Sequence, residues 1–121
     1  MADLESKRFE SPDETRTFND GMGHVDLVTV GGTTIGRGVF EPGWRWSSHV
    51  KPIAGTDSCQ AAHTGVVMQG RMVVRMDDGT ESECVPGDVV YIAPGHDAWI
   101  VGDEACVMFD VTGMPNYATP G

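Results

Sequence analysis

Short apolar runs broken by Gly, Pro and Asp dominate this chain from residue 24 onward. The first covers residues 25–30 and is punctuated by Gly31-Gly32. The second covers 33–40 and stops at Glu41-Pro42-Gly43. Further runs follow at 44–49, 61–68, 72–76, 89–93, 98–101 and 105–111. Each has the length and the Val/Ile content of a strand. Asp78-Gly79, between two of them, is the turn chemistry of a tight hairpin. The chain shows no sustained helical period, no fixed repeat and no low-complexity tract. Many short strands separated by turns predict an all-β sandwich or barrel.

Residues 1–23 read differently, as a polar and irregular arm preceding a barrel domain at 24–121. Ser11 can cap a helix, Pro12 suits its first position, and Glu14 stands where a capping box wants an acid. The expectation is a short N-terminal helical arm ending before Asn19-Asp20-Gly21.

Composition narrows the function classes. With 121 residues the chain is one domain with a modest core. Eighteen acidic residues against 8 basic ones give a net charge of −10. That balance argues against nucleic acid and anionic membrane surfaces as partners, because both need Lys/Arg patches. No apolar run approaches the roughly 20 residues of a membrane helix. Cys59, Cys84 and Cys106 are odd in number and far apart, which is no disulfide framework. The charged start, through Lys7-Arg8, has no apolar leader, so a reducing cytoplasm is the expected compartment. Strand edges of such a fold need covering, so a homodimer is expected, with the N-terminal arm and first strand as pairing candidates.

Candidate chemistry comes from the histidines. His49, His63 and His96 lie beside β-runs, and a barrel can bring such residues onto one inner wall. Neutral imidazole is the commonest metal ligand. Strand alternation puts Cys59, Ala61, His63, Gly65 and Val67 on one face, and His96 on the face of Ala98. His49, His63 and His96 are therefore the leading metal set, with Cys59 as an extra ligand. A divalent Zn, Fe, Ni, Mn or Cu suits such donors, and a thiolate favours zinc. Against this, His49 can merely cap a strand end and His63 can be a core histidine. His96 can be an exposed residue after Pro94-Gly95, and Cys59 a small buried hydrophobe. Cys84 and Cys106 read as packing, and His24 as a polar strand start. Trp46, Tyr91 and Trp99 are candidates to wall a pocket for a small molecule. Trp44 shares the face of Trp46 if that run is a strand.

Two spacings carry a family resemblance. Gly43 followed after five residues by His49, and His63 followed after six by Gly70, match the ends of one signature. Gly87 followed after five residues by Ala93-Pro94-Gly95 matches the frame of a second. Over about residues 35–111 the chain thus resembles the small single-domain cupins. The resemblance implies a jelly-roll β-barrel, a metal, and a pocket for a small polar organic molecule. It also implies either an oxygenase, isomerase or lyase, or a binding and sensing module without turnover. The chain departs from the pattern in three places. His63 stands for the family's glutamate, Ala98 for its last histidine and Gly102 for its asparagine. His49 and His63 are 14 positions apart, against six or seven in the family, so 50–60 holds an insertion. If the insertion follows Lys51, that lysine fills the second ligand slot. If it precedes Asp57, Cys59 fills that slot and Asp57 the first.

Overall fold

The structure, a computed structural model, describes residues 4–112, 114 and 117–119. In chain order the strands are β1 (Glu14–Thr17), β2 (Gly23–Val30), β3 (Thr33–Phe40), β4 (His63–Gln69) and β5 (Arg71–Met76). They continue with β6 (Glu81–Cys84), β7 (Val89–Ile92), β8 (His96–Val101) and β9 (Cys106–Asp110). They form two antiparallel sheets, a six-stranded one in the order β1-β2-β3-β9-β4-β7 and a three-stranded one in the order β6-β5-β8. The all-β jelly-roll expectation holds.

Alternation decides which side chains meet between the sheets. On β8 His96, Ala98 and Ile100 are buried, and on β9 Cys106, Met108 and Asp110 are. Val25, Leu27 and Val67 from the larger sheet join Met72 and Val74 from the smaller one in the core. Residues 59, 61, 63, 65 and 67 are all buried, as their shared parity requires. The Asp78-Gly79 turn joins β5 to β6, with Gly79 at φ +93°, a conformation that favours glycine.

Two local expectations are corrected. The segment after Ser11 forms no α-helix: it becomes β1, paired from Glu14↔Leu27 to Thr17↔His24, and only a 3₁₀ turn follows at Asn19–Gly21. So short a helix cannot hold itself, whereas the exposed edge of β2 offers a ready ladder. Residues 44–49 are likewise not a strand. Arg45 makes one isolated bridge to Trp99, then the chain turns into α1 (Trp46–His49) and α2 (Lys51–Ala54). Pro52 lies in the first turn of α2, where its missing N–H costs nothing, and Gly55 ends that helix at φ +75°. The insertion at 50–60 therefore contains a helical turn and the loop that leads into the site.

Candidate metal centre

Backbone pairing places the functional side chains. The N–H of Cys59 donates to the carbonyl of His96, and the N–H of Gly95 donates to the carbonyl of Cys59, both at 2.7 Å. This bridge holds the loop residue Cys59 opposite the first residue of β8. His63 opens β4 and faces inward on the same parity as Cys59. All three residues are buried, and the Cys59 sulfur and one ring nitrogen from each histidine lie within 4.8 Å of one another.

Each imidazole has a partner that fixes its orientation. His96 Nδ1 donates to the Ala93 carbonyl at 2.8 Å, which leaves the lone pair on Nε2. His63 Nδ1 makes a short hydrogen bond to the Asp110 carboxylate, which leaves Nε2 toward the Cys59 sulfur at 3.7 Å. Asp110 is brought there by the register of β9 on β4, where it stands opposite Gly65. A Cβ on Gly65 would lie 2.0 Å from the Phe109 carbonyl oxygen, so only glycine permits this close approach of the two strands.

The electrostatics follow from burial and pairing. Burial opposes ionisation of Cys59, but hydrogen bonds and charge from His63 and His96 outweigh it and bring the thiol down to about 6. Burial by itself lowers the His63 value. The bonds to Asp110 and Cys59 overcome it and raise the imidazole to about 9. Burial, then the charges of Cys59 and Asp110, push the Tyr117 hydroxyl well above its usual range. Cys106 is a contrast: without a cationic neighbour, burial pushes its thiol up to about 12. Cys59 is thus set apart from an inert core cysteine by its surroundings.

The donors fit a transition metal. One thiolate and two imidazoles, with a carboxylate and a carbonyl behind the imidazoles, are a set that could hold an ion at three points, its outer hydrogen bonds in place. The 3.7 Å separation of sulfur and His63 Nε2 is close to the ~3.5 Å expected for two ligands on one tetrahedral zinc.

The sequence-derived set is only partly assembled. Cys59, His63 and His96 come together, but His49 does not join them. Its Nδ1 lies 3.0 Å from the Arg45 amide at the start of its own helical turn, and its Nε2 lies 4.0 Å from Asp20. The helical turn at 46–49 is what carries it away. Of the two choices for the insertion, Cys59 reaches the cluster, whereas Lys51 lies on α2 outside it. Among the pocket candidates, Trp46 lines the central cavity. Tyr91 is 69% exposed on the edge strand β7, because its parity points away from the core. Trp99 sits under the Arg45 guanidinium at 4.4 Å in a separate surface groove. Asp110 and Tyr117 were not singled out as site residues. Asp110 had a signal, an acid at the inward parity of an apolar run; Tyr117 had none.

A cavity of about 40 Å³ opens beside the two imidazole donors, His63 and His96. By volume it has room for about three water molecules. His63, His96, Asp110 and Tyr117 supply its polar end, while Val25, Phe40, Met72, Ile92 and Met108 supply apolar wall. No lysine or arginine lines it among the described residues.

No protein-family model matches the chain, and no curated protein sequence matches it. Solved structures do. A protein of unknown function from Rhizobium leguminosarum is 24% identical over 85% of this chain and 86% of that one, with a TM-score of 0.58. A cupin-superfamily sugar phosphate isomerase from Silicibacter pomeroyi is 18% identical over 92% of this chain and 77% of that one, at a TM-score of 0.60. A protein with a double-stranded β-helix domain from Klebsiella pneumoniae is 18% identical over 82% and 78%, at 0.55. The chain therefore has a cupin-type, double-stranded β-helix fold.

Proposed function

We propose that this cupin-type protein holds one divalent transition metal on Cys59, His63 and His96 and presents its open position to the central cavity. The observation that carries this is the convergence of three buried donor atoms within 4.8 Å, both imidazoles already oriented from behind. The soft thiolate favours zinc or iron over magnesium or calcium. When bound, such an ion polarises a ligand oxygen or activates water. The chain's own groups exclude bulk water, hold the imidazole tautomers and confine the ligand. The ligand is a small molecule with one metal-binding atom and an apolar body. A sugar phosphate fits poorly, because the described lining offers no lysine or arginine for a phosphate. Turnover and non-catalytic sensing share this site, and the small cavity serves either.

Metal analysis of purified protein tests the proposal. About one equivalent is expected in the native protein, with loss of most of it in Cys59→Ala, His63→Ala and His96→Ala. A folded His63→Ala variant that keeps all the metal would remove the site.

A second reading rests on one observation, the chain of contacts Cys59–His63–Asp110. Without a cation it is the thiolate, imidazolium and carboxylate arrangement of a nucleophilic cysteine. The cavity limits such a thiol to a very small electrophile. Rapid alkylation of Cys59 by iodoacetamide that saturating zinc leaves unchanged would favour it over the metal centre.

A further inference from the structure

We infer that the indole N–H of Trp44 is a ligand-positioning donor, and that the cavity selects a small carbonyl or carboxylate compound. One oxygen of that compound would meet the metal and a second acceptor would meet Trp44. The inference rests on the metal reading above and goes further, to the class of ligand.

Trp44 is 2% exposed and lines the same cavity as His63, His96 and Asp110. Its Nε1 has no hydrogen-bond partner, and among the described buried side-chain atoms only Arg37 Nε shares that state. Arg37 is otherwise satisfied by Glu10 and Asp26 through its terminal nitrogens and lies over the Phe9 ring. Trp44 has no second donor to compensate. A buried donor without an acceptor is costly and uncommon, so an indole kept in this state invites an acceptor from outside the chain. The surroundings leave few other roles for it. The His63 and His96 Nδ1 atoms are already committed to Asp110 and to the Ala93 carbonyl. Of the fully buried side-chain atoms in the described lining, the Trp44 N–H is the one left without a partner.

Packing holds this donor in place. The Trp44 ring is wedged against Phe40 at 4.6 Å and Phe18 at 5.6 Å between centroids. Its backbone is tied at both ends: the amide donates to the Glu41 carbonyl and the carbonyl accepts from the Ile100 amide, each at 3.0 Å. A fixed ring gives a fixed N–H direction. Two fixed points in a cavity of about 40 Å³ define a two-ended ligand of only a few heavy atoms at the polar end.

Formate, which is small enough and has two oxygens, is the probe. Zinc-loaded protein is titrated with formate while the indole N–H resonances of its three tryptophans are followed by NMR. Trp46→Phe and Trp99→Phe assign the Trp44 signal by elimination. The Trp44 proton is expected to move downfield as formate binds. Trp44→Phe, which keeps a buried ring, is expected to weaken formate about tenfold while its zinc content stays unchanged. If that variant does not fold, the resonance shift in the native protein decides alone. Formate that binds the zinc-loaded protein with the Trp44 resonance unmoved would overturn the inference, since the N–H then faces the Phe40 ring. Failure of formate to bind the zinc-loaded protein overturns it as well. Failure of zinc to bind overturns the metal reading itself, which metal analysis reads separately.

Discussion

Cys59 and His63 have opposite effects on stability as pH changes in the metal-free protein. His63, raised from 6.5 to about 9, adds stability that is complete below 6.5 and lost as pH rises through about 9. Cys59, lowered from 9.0 to about 6, adds stability that is complete above 9.0 and lost as pH falls through about 6. Between 6.5 and 9 the two slopes oppose, so metal-free native protein should unfold in urea at a nearly constant midpoint across that window. Cys59→Ala removes one slope and leaves His63 on Asp110, so its midpoint should fall as pH rises through the same window. A Cys59→Ala midpoint that rises there would contradict the assignment. At this scale the sequence was partly legible. Parity alone put Cys59 and His63 on one inward face and turned His96 inward. His49 lies apart from the cluster because its place depends on whether 44–49 is strand or helix, and a helical turn forms there. Asp110 passed unnoticed because its role exists only across the β4–β9 register.

Among the elements, the pairing of β4 with β9 is the one on which the site depends. Gly65 sits at the point where the two strands approach most closely, and Asp110 stands opposite it. Gly65→Ala must push β9 away from β4, because the added carbon meets backbone rather than a flexible side chain. A loss of about 2–3 kcal/mol is expected from such overpacking, read as a lower urea midpoint, together with weaker metal retention as His63 loses its carboxylate. An unchanged midpoint would show that the strands are not so closely apposed. Elements were legible where local chemistry and tertiary pairing agreed, as at the Asp78-Gly79 hairpin. They were not where tertiary pairing won. The Ser11-Pro12 start has helix chemistry, but the free edge of β2 captures the segment as β1. At 44–49 the alternating indoles suggest a strand, yet Trp44 and Trp46 are both buried from a turn and a helix start.

For the whole molecule, metal and fold are linked. An ion that binds the folded chain alone stabilises it by about 2.7 kcal/mol at a free concentration a hundred times its dissociation constant. Zinc should therefore raise the thermal midpoint of the native protein and leave that of a folded Cys59→Ala, His96→Ala double variant in place. Equal stabilisation of both would mean that the ion binds elsewhere on a surface of net charge −10. The all-β fold was readable from turn spacing and strand length because two antiparallel sheets repeat those signals along the chain. The ligand was less readable. The resemblance to cupins suggested a polar molecule, whereas the cavity wall is largely apolar and only its closing end is polar. That end is assembled from the 59–63 segment, β8, β9 and Tyr117, a combination no local pattern encodes.

X-ray absorption at the metal edge of zinc-loaded protein counts the donor types at the ion. One sulfur at about 2.3 Å and two imidazole nitrogens at about 2.0–2.1 Å are expected, with the sulfur contribution gone in Cys59→Ala. A first shell without sulfur, or with only a single imidazole, would show that these three side chains do not share an ion.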